Sequence, residues 1–295
     1  MVGKNSIGRN IFLVFNYGFF FIVILLCLYP LWYVFVQSLS GDTRAGTALF
    51  WPNEFTLGNY FQIFQLPGLY RAVFVSIART VLGTSLTVLC CMWMGYLFSK
   101  EEMPLRKFLY RMLIITMYVS GGLIPHFLVM RAYGLVGTFW IYIFPGLMSA
   151  FFVILIKTYV EQLPASVEES AMIDGAGTIR IFCQIIFPMS LPIVATIAVF
   201  AAVGQWNAWM DNMIFNAQVR NLTTMQFLLW EYLSEAERLT NLLAETSAEI
   251  DTEFLLTPRG VRMTMTMVII LPIIMVYPLL QRFFVKGIMI GAVKG

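Results

Sequence analysis

Six long apolar runs, at about 12–36, 72–98, 108–131, 138–159, 189–215 and 262–284, leave this chain few folds to choose from. Crossing the hydrocarbon core of a bilayer takes roughly 20 residues of helix, and each run meets that length. Inside lipid a segment must satisfy its own backbone hydrogen bonds, so runs of this kind form helices. No stretch shows the apolar-polar alternation over about 10 residues that a membrane β-barrel needs. At 59% hydrophobic and 12% charged residues, with a mean hydropathy of +0.79, the chain falls outside the soluble globular class. The expectation is an all-α integral membrane protein with six transmembrane helices in a single domain over 1–295. Pro30, Gly121-Gly122 with Pro125, Pro145, Pro192 and Pro272 interrupt the runs. They mark either packing irregularities or gating kinks.

Orientation comes from the basic residues, which collect on the cytoplasmic side of membrane helices. With the N-terminus inside, that side receives Lys4, Arg9, Lys100, Arg106, Lys107, Arg111, Lys157, Arg180, Arg282, Lys286 and Lys294, which include all six lysines. The other side receives eight arginines and ten of the sixteen acids. Both termini and the loop at 160–187 are therefore expected in the cytoplasm, with the first run retained as an anchor. Outside, 37–71 reads as an interfacial cap anchored by Trp51-Pro52 and Asn59-Tyr60. The acidic loop 216–261 carries apolar residues from Met225 to Leu242 near helical spacing and should hold an amphipathic helix. That helix is either a solvated cap or a docking surface. Cys27, Cys90, Cys91 and Cys183 lack metal or redox spacing and read as small buried hydrophobes. The net charge of +3 gives no reason to expect a nucleic-acid partner.

The loop at 160–187 is charged and turned by glycine between two spans. Pro164 can open a helix, because its missing N–H is no loss in a first turn. Ser166 and Glu169 have capping-box spacing, which predicts a short helix over 167–173. Asp174-Gly175 supplies a turn. A second helix, with Thr178 as its cap, leads through Ile181, Ile185 and Phe187 to Pro188. The outcome is a helix–turn–helix knob across the membrane face.

The spacing Glu169-Ser170-Ala171, three residues, Gly175, nine residues, Ile185, one residue, Phe187-Pro188 resembles the coupling loop of ATP-binding-cassette import permeases. Ser170 and Phe187 stand where that pattern has Ala and Leu. Gly121-Gly122-Leu123-Ile124-Pro125, Trp206-Asn207 and the terminal stretch from Phe284 to Gly295 are similar to the carbohydrate-importer permeases of the maltose-importer inner-permease type. Within these they resemble the complex-oligosaccharide and alginate importer subgroup. The resemblance implies the type I importer permease fold with a cytoplasmic coupling helix, in a bacterial inner membrane. It implies a second homologous permease, two ATPase subunits that bind ATP and Mg, an extracytoplasmic solute-binding protein and an oligosaccharide substrate. Glu168, Glu169, Ser170, Ala171, Met172, Asp174, Gly175, Ala176 and Pro188 would meet the ATPase. The tail from about Lys286 would reach between the ATPase subunits.

No phosphate-binding loop, metal set or catalytic triad occurs, so the chain reads as a non-catalytic permease without a cofactor of its own. His126, the single histidine, reads as a packing or hydrogen-bonding residue. Polar residues within spans are candidate functional groups. The fifth span offers Gln205, Asn207, Asp211 and Asn212. Asn207 and Asp211, four apart on one predicted helix face with Trp206 and Trp209 beside them, together with Asn212, Gly121 and Gly122, form a candidate translocation path. Amides, carboxylates and flat aromatics suit a saccharide, whereas helix packing is the plainer reading. The alternative is an ion-coupled secondary transporter, which ordinarily places acids or histidine at mid-membrane. Here no acid lies at the middle of a span.

Overall fold

Apolar composition and the need to close every backbone hydrogen bond make helix the default, and helix is what forms. The structure is a computed structural model that describes residues 7–41, 50–246, 260 and 262–276. Among these the sole extended pairing is one isolated antiparallel bridge, Ser40 with Phe55. The chain divides into two units, Met1–Pro67 with Glu231–Leu271 and Gly68–Trp230 with Pro272–Gly295.

In the first unit, α1 (Ile7–Ser38) is a 32-residue helix, about 48 Å long. Its apolar side chains point outward around most of its length, as a helix surrounded by lipid requires. The segment around 50–64 folds back on the end of α1. Asn59 Nδ2 donates to the carbonyls of Ser38 (3.2 Å) and Ser40 (3.0 Å), and Tyr60 shares a hydrogen bond with Ser38. These bonds satisfy carbonyls that the end of α1 leaves open. They also hold α2 (Gly58–Phe64). Trp32 donates from its indole to the Phe50 carbonyl and meets Trp51 edge-on.

The second unit is built on α3 (Leu69–Ser99), a 31-residue helix. It packs against α6 (Ala150–Val160) and α10 (Leu191–Asn207). Gly95 permits the α6 contact, since a Cβ there would lie 2.5 Å from Ile156 Cγ2. A core of Val88, Cys91, Met92, Tyr96, Val153, Ile156 and Ile197 fills this interface.

The second span is one uninterrupted helix, but the third to fifth are not. Residues 108–131 split into α4 (Arg106–Tyr118) and α5 (Leu123–Ala132). Gly122 sits at φ 83 and ψ 172, a region essentially reserved for glycine. Residues 138–159 begin as two 3₁₀ turns, Phe139–Tyr142 and Phe144–Gly146, and bend by 48° into α6. Around the fifth span come α7 (Ala165–Ile173), α8 (Thr178–Ile181), a π-helical turn Phe182–Ile186 and α9 (Phe187–Met189). The chain bends 80° into α10, and α10 stops at Asn207 before α11 (Met210–Phe215). Two late helices, α12 (Met225–Thr246) and α13 (Arg262–Val276), complete the described chain. α12 confirms a helix in the acidic loop, and the expected continuation of the last span to 284 lies outside the described residues.

Of the four cysteines only Cys91 is buried; Cys27 and Cys183 are exposed, which corrects the expectation that all are interior. Cys27 falls on the outward-facing α1, and Cys183 on the outer side of the π-helical turn. An apolar run does not by itself say whether its residues face protein or lipid.

Candidate functional site

The loop knob forms, with different starts. Helix α7 begins at Ala165 with Pro164 in the capping position and no side-chain cap. The Ser166–Glu169 capping box is therefore not made. Ser166 is already helical, and its carbonyl accepts from Ser170 Oγ at 2.7 Å. Proline fixes φ and needs no N–H partner, so the helix opens two residues earlier than the box predicts. Likewise Gly177 holds the cap position of α8, with Thr178 its first residue. The turn is as expected. Gly175 adopts φ +77, its N–H donates to the Met172 carbonyl at 3.0 Å, and Ala176 N–H donates to Ala171 at 2.9 Å. This is the paired closure of a Schellman motif, which glycine accommodates without strain.

What fixes the knob to the bundle is Glu168. It is 8% exposed, accepts from the Tyr96 hydroxyl at 2.8 Å and forms an ion pair with Lys100. The Lys100 ammonium also lies 4.8 Å from the centre of the Tyr96 ring. Phe182 packs edge-on against Trp93 and tilted against Tyr96. Glu168, Ala171 and Ala176 thus face inward, whereas Glu169, Ser170, Met172, Asp174, Gly175 and Pro188 face outward. The sequence reading missed the apolar tip, Ile173 and Ile179, which are 87% and 69% exposed. It also missed Tyr96 and Lys100; the signal was a lysine two residues beyond a span and an acid in the loop it could reach.

The second cluster lies within the helices. Arg79 sits ten residues into α3, about 15 Å from its start, and is 2% exposed. Its Nε donates to Gln205 Oε1 (2.9 Å), and its Nη1 to the Ala208 carbonyl (3.2 Å) and Asp211 Oδ1 (3.0 Å). Nη2 completes a bidentate ion pair with Asp211. The guanidinium lies over the Tyr142 ring at 4.7 Å. Such a fork matches a carboxylate in both charge and shape. Arg79 is not at an external surface, where the charge count put it. The signal available was a charge well inside an apolar run.

The same contacts explain why the fifth span breaks. Ala208 is extended (ψ 127), and Arg79 takes up the carbonyl this releases. Asn207 and Asp211 consequently do not share a helix face, which corrects the expectation from their spacing. Asn207 accepts from Gln226, Trp206 lines a separate apolar cavity between α3, α10 and α13, and Trp209 stacks on Trp230. Asn212 is buried and caps the approach to α12 by accepting from Thr224 N–H at 2.7 Å. Gly121 and Gly122 form the break before α5, which carries His126. Of the candidates in the fifth span and at Gly121-Gly122, Gln205 and Asp211 line one largely apolar cavity, and the others do not. That cavity is about 280 Å³, with Arg79, His126, Tyr142, Gly204, Gln205 and Phe215 among its walls. Among the described residues no cluster could hold a metal ion.

Residues 87–290 match the family described as binding-protein-dependent transport system inner membrane component. The chain belongs to that family and is a membrane permease of such a system. It is similar to Protein LplC of Bacillus subtilis (strain 168), with 34% identity over 293 residues that cover 99% of this chain and 97% of that protein. The polygalacturonan/rhamnogalacturonan transport system permease protein YtcP of the same organism is 32% identical over 282 residues, covering 95% of this chain and 96% of that one. In structure the chain resembles one from a bacterial ABC transporter involved in the import of the acidic polysaccharide alginate. The TM-score is 0.83 at 26% identity, covering 96% of this chain and all of that one. The fold is therefore the type I importer permease fold that the loop motif implied. Nothing in these relatives supports the ion-coupled alternative.

Proposed function

We propose that this permease forms half of the translocation pathway of an ATP-binding-cassette importer for oligosaccharides, with uronate oligomers such as those from alginate within its range. A second, homologous permease supplies the other half. Two ATPase subunits, which bind ATP and Mg, dock beneath the pair with this knob in a groove of the ATPase, and a solute-binding protein delivers cargo on the opposite face. The basic-residue distribution supports both termini in the cytoplasm of a bacterial inner membrane. The tail from Lys286 lies outside the described residues.

The observation that carries the coupling role is the knob itself. An exposed tip of Met172, Ile173, Asp174 and Ile179 stands on a helix pinned from beneath by Glu168. Exposed apolar side chains in an aqueous loop are what a protein partner covers, and a pinned helix transmits load without tilting. The polygalacturonan and rhamnogalacturonan named for YtcP and the acidic polysaccharide named for the alginate importer support the cargo class.

Gly175→Asp and Glu169→Lys test this reading. Both should insert in the membrane normally and lose copurification with the ATPase subunits together with cargo-stimulated ATP hydrolysis. Stimulation equal to wild type in both variants would remove the knob as the coupling element.

A further inference from the structure

We infer that the cavity beside the Arg79–Asp211 pair is a saccharide subsite belonging to this subunit, which takes one pyranose unit through its hydroxyls. This rests on the importer reading and adds where in this chain the cargo is held.

The cavity volume of about 280 Å³ far exceeds the roughly 10–15 Å³ that one water needs on the same measure. Its polar groups converge from three helices. Gln205 on α10 gives its carbonyl oxygen to Arg79 Nε, which fixes the amide and leaves its NH₂ end as an unused donor. His126 on α5 meets Phe215 edge-on at 5.7 Å, and its imidazole has no hydrogen-bond partner among the described residues. Asp211 on α11 keeps its side chain 26% exposed, so acceptor capacity remains after the ion pair. One donor, one acceptor and one group able to do either match sugar hydroxyls, which do both. Tyr142 and Phe215 contribute only edges to the wall, since the Arg79 guanidinium lies over the first ring and Phe127 stacks on the second. Few polar groups set among apolar and aromatic ones is the usual make-up of a ligand pocket.

The ion pair decides how the ring is read. Arg79 has 3% side-chain exposure, and both of its terminal nitrogens serve Asp211. A uronate carboxylate entering the cavity gains no free guanidinium and meets the Asp211 charge. Recognition therefore runs through hydroxyls, and an oligomer's carboxylates lie elsewhere along the path.

Gly204 allows a direct test. It lines the cavity, and a Cβ added there meets nothing within 4 Å. Gly204→Met therefore fills the cavity while replacing glycine by a better helix former. Gln205→Glu is an independent probe that keeps an oxygen for Arg79 and removes the free donor. The complete importer in nanodiscs is incubated with pooled short oligosaccharides from hydrolysed pectin, alginate and starch, and retained sugar is measured by mass spectrometry. Wild type should retain saccharide. Gly204→Met should retain at least about ten-fold less, and Gln205→Glu about five-fold less, the size of one lost hydrogen bond. Copurification of the ATPase subunits should persist in both. No saccharide on wild type, or equal retention in assembled variants, would overturn the subsite. A wild-type chain that fails to copurify with ATPases would instead sink the importer reading.

Discussion

Replacing Arg79 by methionine would remove a guanidinium that donates to Gln205, to the Ala208 carbonyl and to both oxygens of Asp211. Methionine fills similar space, so the effect would be polar rather than volumetric. Asp211 would keep only the Asn212 N–H, at 2.8 Å, and its charge would be left in a largely apolar setting. Removing one partner of a fully buried pair costs about 3–5 kcal/mol. Because a quarter of the Asp211 side chain reaches open space, screening lowers the expectation to about 2–4 kcal/mol. Asp211→Asn still accepts from Arg79 but strands the positive charge, at a cost of about 1–3 kcal/mol. The double variant strands neither charge, so its cost should fall short of the sum by about 2 kcal/mol. Neutral side-chain hydrogen bonds between membrane helices couple by only ~0.6 kcal/mol on average and ~1.7 at most. The coupling thus separates an ion pair from an ordinary polar contact. SDS titration of the four proteins in mixed micelles, followed by tryptophan fluorescence, measures it. Additivity within ~0.6 kcal/mol would refute the claim that charge pairing joins α3 to the break between α10 and α11.

Gly95→Val would push a side chain into Ile156 and Lys157 on α6, costing about 1–3 kcal/mol by overpacking. Partial rescue by Ile156→Ala in a thermal melt would confirm the contact, and an unchanged melt for Gly95→Val would disprove it. Glu168→Leu would leave the Tyr96 hydroxyl and the Lys100 ammonium without their acceptor. With Lys100 23% exposed, about 1–3 kcal/mol of local stability is expected to go. Faster hydrogen exchange confined to α7 and α8, reduced again by adding Lys100→Met, is the expected result. Exchange unchanged in both helices would count against the pin.

The apolar runs announced helices because length and hydropathy act locally, and the loop turn was legible because glycine at φ +77 is a backbone requirement. The start of α7 was misread because two local signals, Pro164 and the Ser166 box, competed and the proline won. The broken spans were legible as risk, through Gly121-Gly122 and Pro145, but not as geometry. Near Ala208 only Gly204 and Asn207 are poor helix formers, too weak a signal to place a break. Its cause is Arg79, 129 residues away in sequence, a distance at which periodicity is silent. For the same reason the sequence places Glu168 among the residues that would meet the ATPase, although the fold buries it against Tyr96 and Lys100.

The uninterrupted course of α3 has a mechanical consequence. Arg79 and Tyr96 lie 17 residues apart on it, about 26 Å along the axis, with no glycine-enforced joint or proline between them. The helices that face it across the unit carry the bends and breaks. A rod with compliant neighbours behaves as a pushrod. A displacement applied where Glu168 grips one end arrives nearly undiminished at the guanidinium near the other, and the strain is taken up at the jointed helices around it. The stiffness of one helix would then set how far a movement at the membrane face is felt at the cavity.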